Sequence, residues 1–233
     1  MKKNDLLFVA FMAALFLPFF VSADAYAFYN QANAEHGMLL SFLKFALLAT
    51  AGEMLGLRIR TGSYNQPGFG ILPRAIVWGL LGFTIKLAFV IFGKGTPAFL
   101  TYMGLEDAGS LMGGAFGAGK LLVAFSISAA MNLIYAPVMM TLHKITDTHI
   151  INNGGTVAGL FKPIRFGDIM ASINWQVQWN FVFKKTIPFF WIPAHTITFL
   201  LPPHFQVLFA AILGIVLGII LAFAKRKPAA GQA

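Results

Sequence analysis

An uncharged apolar run from Phe205 to Ala224, closed by Lys225-Arg226-Lys227, limits what this chain can become. A hydrocarbon core of about 30 Å is crossed by about 20 helical residues, and this run supplies them. Just before it, Lys184-Lys185 opens a second apolar run, Thr186 to Leu201, interrupted by Pro188, Pro193 and His195. Pro202-Pro203-His204 makes the corner between the two. Apolar runs bracketed by basic residues read as paired membrane spans. Composition agrees: hydrophobic residues are 58% and charged residues 11%, against roughly 45–50% and about 25% in soluble domains.

The same pattern recurs upstream. Residues 6–23 read as a first span kinked at Pro18, or as a cleaved signal with a basic start and small-residue sites at Ala23 or Ala27. Further spans are expected at 37–57, 71–92 and 120–142, then 186–201 and 205–224. Residues 61–70, TGSYNQPGFG, read as a turn-rich loop. Residues 93–119 are glycine-rich, and 143–167 form a polar connection. Residues 168–183 alternate like a strand, but an isolated strand would leave its backbone unpaired in lipid. They are therefore expected to form an amphipathic interfacial helix, capped by Asp168, with Trp175 and Trp179 at the headgroups. The expected fold is all-α: one polytopic membrane domain over 1–233 with about six spans, or five if residues 1–23 are removed.

The net charge of +9 would suggest a nucleic-acid partner only if its basic residues formed one patch. They do not. With the N-terminal side taken as inside, the inner segments hold Lys2, Lys3, Arg58, Arg60, Arg74, Lys144, Lys162, Arg165, Lys184, Lys185, Lys225, Arg226 and Lys227. The outer segments hold Lys94 and Lys120, while Lys44 and Lys86 fall within spans. This asymmetry predicts both termini on the cytoplasmic side, most simply in a bacterial plasma membrane, although an organelle membrane also fits. Membrane lipids are the expected partners, with no nucleic acid.

No phosphate-binding loop, nucleophile elbow or metalloprotease helix is present, and cysteine is absent. No catalytic residue or cofactor is expected. His143, Asp147 and His149 invite a metal reading, but no third strong ligand stands near them at a known spacing. The residues that stand out are polar side chains inside apolar runs. Glu53, Lys86, Asn132 and His195 are costly there unless they meet water or partners. Lys86 is expected to line a cavity, snorkel to the interface or pair with Glu53. Glu53 also stands near Arg58 as an interfacial pair. His195 reads as a hydrogen-bonded packing residue or as a gate. Small residues recur at Ala210, Gly214, Gly218 and Ala222, and again at Gly52 and Gly56. They form ridges for close helix packing, within the bundle or between copies of the chain.

Several of these positions carry a family resemblance. The chain reads Trp191-Ile192-Pro193-Ala194, Thr198-Phe199 and Leu201-Pro202-Pro203-His204-Phe205-Gln206 before its final helix. Further back it has Tyr135-Ala136-Pro137, Gly52-Glu53, and Arg74, Gly79, Gly82 and Lys86. This resembles the family of small peroxisomal and mitochondrial inner-membrane proteins, which includes the mitochondrial protein linked to mitochondrial DNA maintenance. Gln206 stands where the family has Arg, Thr198 where it has Asn, and Leu217-Gly218 where it has Trp-Asn; its Trp-Tyr after Lys86 is missing. The resemblance implies a channel-like pore. Glu53, Arg74, Lys86, Asn132, His195, Thr198 and Gln206 are then the pore or cavity candidates. A pore requires that they share one wet cavity. The alternative is a non-transporting membrane scaffold, in which each has a local partner and the small-residue ridges face outward.

Overall fold

The computed structural model describes residues 3–224, with side chains to residue 220. Lys2, Lys225, Arg226 and Lys227 of the charge pattern, and the side chain of Ala222, lie outside the described residues. The described residues form helices and no strand, in two compact units that divide between residues 40 and 41.

In the first unit, the expected span at 6–23 is broken. Helix α1 covers Lys3–Phe16, α2 Pro18–Val21 and α3 Ala23–Glu35. Pro18 has no N–H to continue α1 and instead starts α2, where none is needed. Ser22 then caps α3, its hydroxyl accepting from Ala25 N at 3.2 Å. The Phe19 and Tyr29 rings meet edge to face at 5.1 Å.

Helix α4 covers Gly37–Thr61, α5 Ile71–Tyr102, α6 Ala108–Gly113 and α7 Ala118–Asn152. Short helices α8, Val157–Leu160, α9, Phe166–Ser172, and α10, Trp175–Val177, lead into a π-helix, Gln178–Trp191. Helix α11, Ile192–Leu200, and α12, Pro203–Ala224, complete the chain. Among the described residues, four helices are long and apolar enough to cross a membrane: α4, α5, α7 and α12. This is an integral membrane protein of helical type.

The boundaries depart from the hydropathy pattern in three places. Helix α5 runs through Gly93, Gly95 and Pro97 to Tyr102, beyond the expected end at 92. A glycine costs a helix about 1 kcal/mol, less than leaving backbone groups unpaired in lipid. Helix α7 continues past Leu142 to Asn152, because polar side chains do not end a helix; the Asn153-Gly154-Gly155 turn does. At 1.5 Å per residue these helices reach roughly 50 Å, so their ends extend beyond the hydrocarbon. Third, residues 168–183 do not form one helix. Ile173 breaks them, Asn174 caps α10 by accepting from Val177 N at 3.0 Å, and Asp168 pairs with Arg165 at 2.6 Å instead of capping. The apolar run 186–201 is divided between the π-helix and α11, which continue into each other with Pro193 just past the junction.

Around the second unit, neighbouring helices follow one another in a ring. Ser41 of α4 donates to Gly82 O of α5 at 2.7 Å. Helix α5 packs on α7, α7 on α11 and α11 on α12. Helix α12 returns to α4, where a Cβ on Gly52 would stand 2.9 Å from Ile215 Cα. Inside the ring, Phe89 of α5 lies 5.0 Å from the Phe199 ring and 5.9 Å from the His195 ring of α11. Outside, large apolar side chains such as Leu80, Leu87, Leu133 and Val138 are exposed, as lipid-facing positions require.

Below α5, two loops lock together. Gly70 (φ 74°) and Gly155 (φ 67°) are both left-handed, and a Cβ on Gly155 would come within 2.7 Å of Gly68 backbone. Only glycine satisfies the backbone angle and the contact together.

Candidate functional site

Three helices bring ionisable groups to one end of the ring. Glu53 comes from α4, Arg74 and Trp78 from successive turns of α5, and His143 and Asp147 from successive turns of α7. Spacing of i, i+4 puts each pair on one helix face.

Arg74 is the centre. Its Nη1 donates to Glu53 Oε2 and also contacts Asp147 Oδ1, the latter as an ion pair without an aligned hydrogen bond. Its Nε donates to Phe69 O at 2.7 Å, and the Phe69 ring lies 4.4 Å from the guanidinium carbon. The loop before α5 therefore holds the base of the arginine while two other helices hold its tip. Glu53 Oε1 accepts from Trp78 Nε1 at 2.9 Å and lies 3.0 Å from His143 Nε2. The Trp78 and His143 rings are in contact, with centroids 4.3 Å apart and planes tilted by 38°. Side-chain exposure is 7% for Arg74, 20% for Glu53, 18% for Asp147 and 26% for His143. The planar fork of arginine suits two carboxylates at once.

A second polar group lies deeper and carries no formal charge partner. Asn132 Nδ2 donates to Ser128 O at 2.8 Å, and its amide faces His195 Nδ1 at 3.0 Å. Ser128, fully buried, donates across to Ile192 O at 2.7 Å. His195 is packed between Trp191, stacked at 5.2 Å, and the edge of Phe89.

The sequence-derived candidates thus separate. Glu53 and Arg74 join one network; Asn132 and His195 join another. Thr198 donates to Ala194 O at 2.9 Å on its own helix, and Gln206 Nε2 donates to Leu201 O at 3.0 Å across the proline corner. Lys86, half-buried on α5, does not pair with Glu53, whose carboxylate is taken by Arg74, Trp78 and His143; its electrostatic neighbour is Lys44. Arg58 has its guanidinium carbon 5.8 Å from the centre of the Tyr64 ring.

Among the ridge residues, Gly52 meets Ile215, and a Cβ on Gly218 would stand 3.2 Å from Gly52 O. Gly56 lies beside Gly218 and Ala210 is buried, while Gly214 has open space where a Cβ would be. Gly52, Gly56 and Gly218 therefore let α12 pack on α4 within one chain.

Sequence reasoning placed Trp78 in no site and considered His143 and Asp147 only with His149. His149 instead faces α8, its Nε2 lying 3.2 Å from Leu160 O. The i, i+4 pairs Arg74/Trp78 and His143/Asp147 were the available signal. Among the described residues, no group of three or more His, Cys, Asp or Glu is arranged to hold a metal ion. No protein-family model, curated protein or solved structure matches this chain.

Proposed function

We propose that this chain is a gated transport protein for small solutes, with its path through the ring of α4, α5, α7, α11 and α12. The gate is the Glu53–Arg74–His143–Asp147 network. One observation carries the reading: a single buried arginine bridges carboxylates from two other helices. Charges within membrane helices are expensive and mark function by default. A buried ion pair is weak evidence for stability, and its best-attested use is as a register or switch device. In this conformation the polar candidates do not share one cavity: the interior at Phe89, His195 and Phe199 is filled, so the path is closed, and solute passage requires the helices to part. The family resemblance in the C-terminal stretch points to the same class. We place the protein in a bacterial plasma membrane, with the Arg58, Arg60 and Lys144 end cytoplasmic. No catalytic step belongs to this reading.

The scaffold reading is favoured by one finding: Glu53, Asn132, His195, Thr198 and Gln206 each have a local partner. Reconstitution in liposomes separates the two. Under the transport reading, Glu53→Gln, which loosens the gate, raises single-channel open probability or solute release several-fold over wild type. Silence from both proteins, with folded insertion verified, supports the scaffold.

A further inference from the structure

The charge network is unbalanced unless it holds a proton. Glu53 and Asp147 bring two negative charges and Arg74 one positive charge, all on side chains no more than 20% exposed. A neutral imidazole at position 143 leaves one net negative charge among three membrane helices. His143 is placed to cancel it, with Nε2 at 3.0 Å from Glu53 Oε1. Its ring centroid lies 4.3 Å from that of Trp78, with the planes tilted by 38°, a distance at which an aromatic ring attracts a cation. Trp78 Nε1 donates to that same carboxylate oxygen, so ring and acceptor are held in fixed relation.

We infer that His143 is a proton-binding site and that closure of α4 onto α7 takes up one proton there. A neutral ring with its proton on Nε2 keeps the hydrogen bond to Glu53; the added proton supplies the charge attraction. Separation of α4 from α7 removes Glu53 and releases that proton, so falling pH favours closure and rising pH favours opening. The groups that face the site are Glu53 from α4, Arg74 from α5 and Asp147 from the next turn of α7. Lys144 beside it is exposed. On the other elements packed against α7, Arg165 and Asp168 satisfy each other on α9, Lys184 and Lys185 of the π-helix are exposed, and His195 of α11 is tied to Asn132. The transport consequence rests on the gate proposed above; proton binding itself is read without any solute.

The test uses the full chain in lipid nanodiscs. Imidazole nitrogen resonances are followed from pH 5 to 9, and the His143 signal is identified by its loss in His143→Gln. Spin labels at Thr61→Cys and Asn152→Cys, specific because the chain has no native cysteine, report the separation of α4 and α7. The expected result is a His143 titration whose midpoint falls by at least about one pH unit, a tenfold change in proton affinity, in Glu53→Gln. The label separation should increase over the same pH range in wild type and lose its pH dependence in both variants. A His143 midpoint unmoved by Glu53→Gln, or a separation that ignores pH in wild type, overturns the inference. If His143→Gln does not fold, His143→Asn identifies the signal, and Glu53→Gln carries the comparison of midpoints and of label separation. Absent solute flux with the linked titration intact removes the transport reading and leaves the proton site standing.

Discussion

Two polar regions of this bundle solve the same problem at different depths. At one end of α4, α5 and α7, four ionisable side chains meet around Arg74. Three turns up α7, roughly 16 Å away, Asn132, Ser128 and His195 make a neutral cluster that leans on backbone carbonyls. The charged cluster lies near the first turns of α5 and beside the loop that precedes it; the neutral one lies among Phe89, Trp191 and Phe199. Burying charge costs several kcal/mol per ion even after relaxation, whereas a hydrogen-bonded amide is far cheaper. Depth therefore selects the chemistry. It also divides the roles: the ion network can change state with a proton, and the neutral cluster is suited to hold α7 and α11 in register.

That contrast is most exposed at Arg74. Arg74→Ala leaves two carboxylates facing each other and should cost about 3–5 kcal/mol, read as a large fall in thermal unfolding temperature in detergent. A loss no larger than for surface arginines would mean the network is solvated and of no structural consequence. Next comes the neutral cluster. Asn132→Ala strands His195 Nδ1 and should cost about 1–3 kcal/mol, with no change in the pH response of the α4–α7 separation. A pH response altered by Asn132→Ala would show that the two regions are one unit. Gly52→Ala places a methyl group 2.9 Å from Ile215 Cα and should cost about 1–3 kcal/mol through overpacking. An unchanged melting temperature would indicate that α12 can move off α4 freely. Smallest is the double-mutant cycle: Glu53→Gln and Asn132→Ala should add within about 0.5 kcal/mol, since distant sites without shared partners are independent.

Much of the architecture was legible. Apolar runs near Gly37–Thr61, Ile71–Tyr102, Ala118–Asn152 and Pro203–Ile220 are helices of membrane-crossing length, because lipid demands an internally bonded backbone and the sequence can meet that demand only by helices. Helix ends were less legible. Hydropathy marks where lipid stops, and α7 continues beyond that point to the glycines that end it. The π-helix had no sequence signature, and Pro18 was read as a kink where it acts as a start. At the site, Glu53, Arg74, Asn132 and His195 stood out because each is polar within an apolar run, but their partners did not. Lys86 seemed the natural partner for Glu53 on charge alone. The fold gives Glu53 to Arg74 and His143 because the α4–α5 pairing, set by Ser41 against Gly82, brings their turns level with it.

The sequence by itself determined the solvent this protein lives in, the helical class and the list of side chains too costly to be accidental. Those follow from composition and from the free energy of each residue in hydrocarbon, which are local properties. Only the tertiary structure decided which of them meet: one network of ionisable groups, one neutral pair, and Gly52, Gly56 and Gly218 set between α4 and α12. Pairing depends on the relative height and rotation of helices far apart in the chain, and those are set by packing over the whole ring, where a shift of one turn replaces every partner.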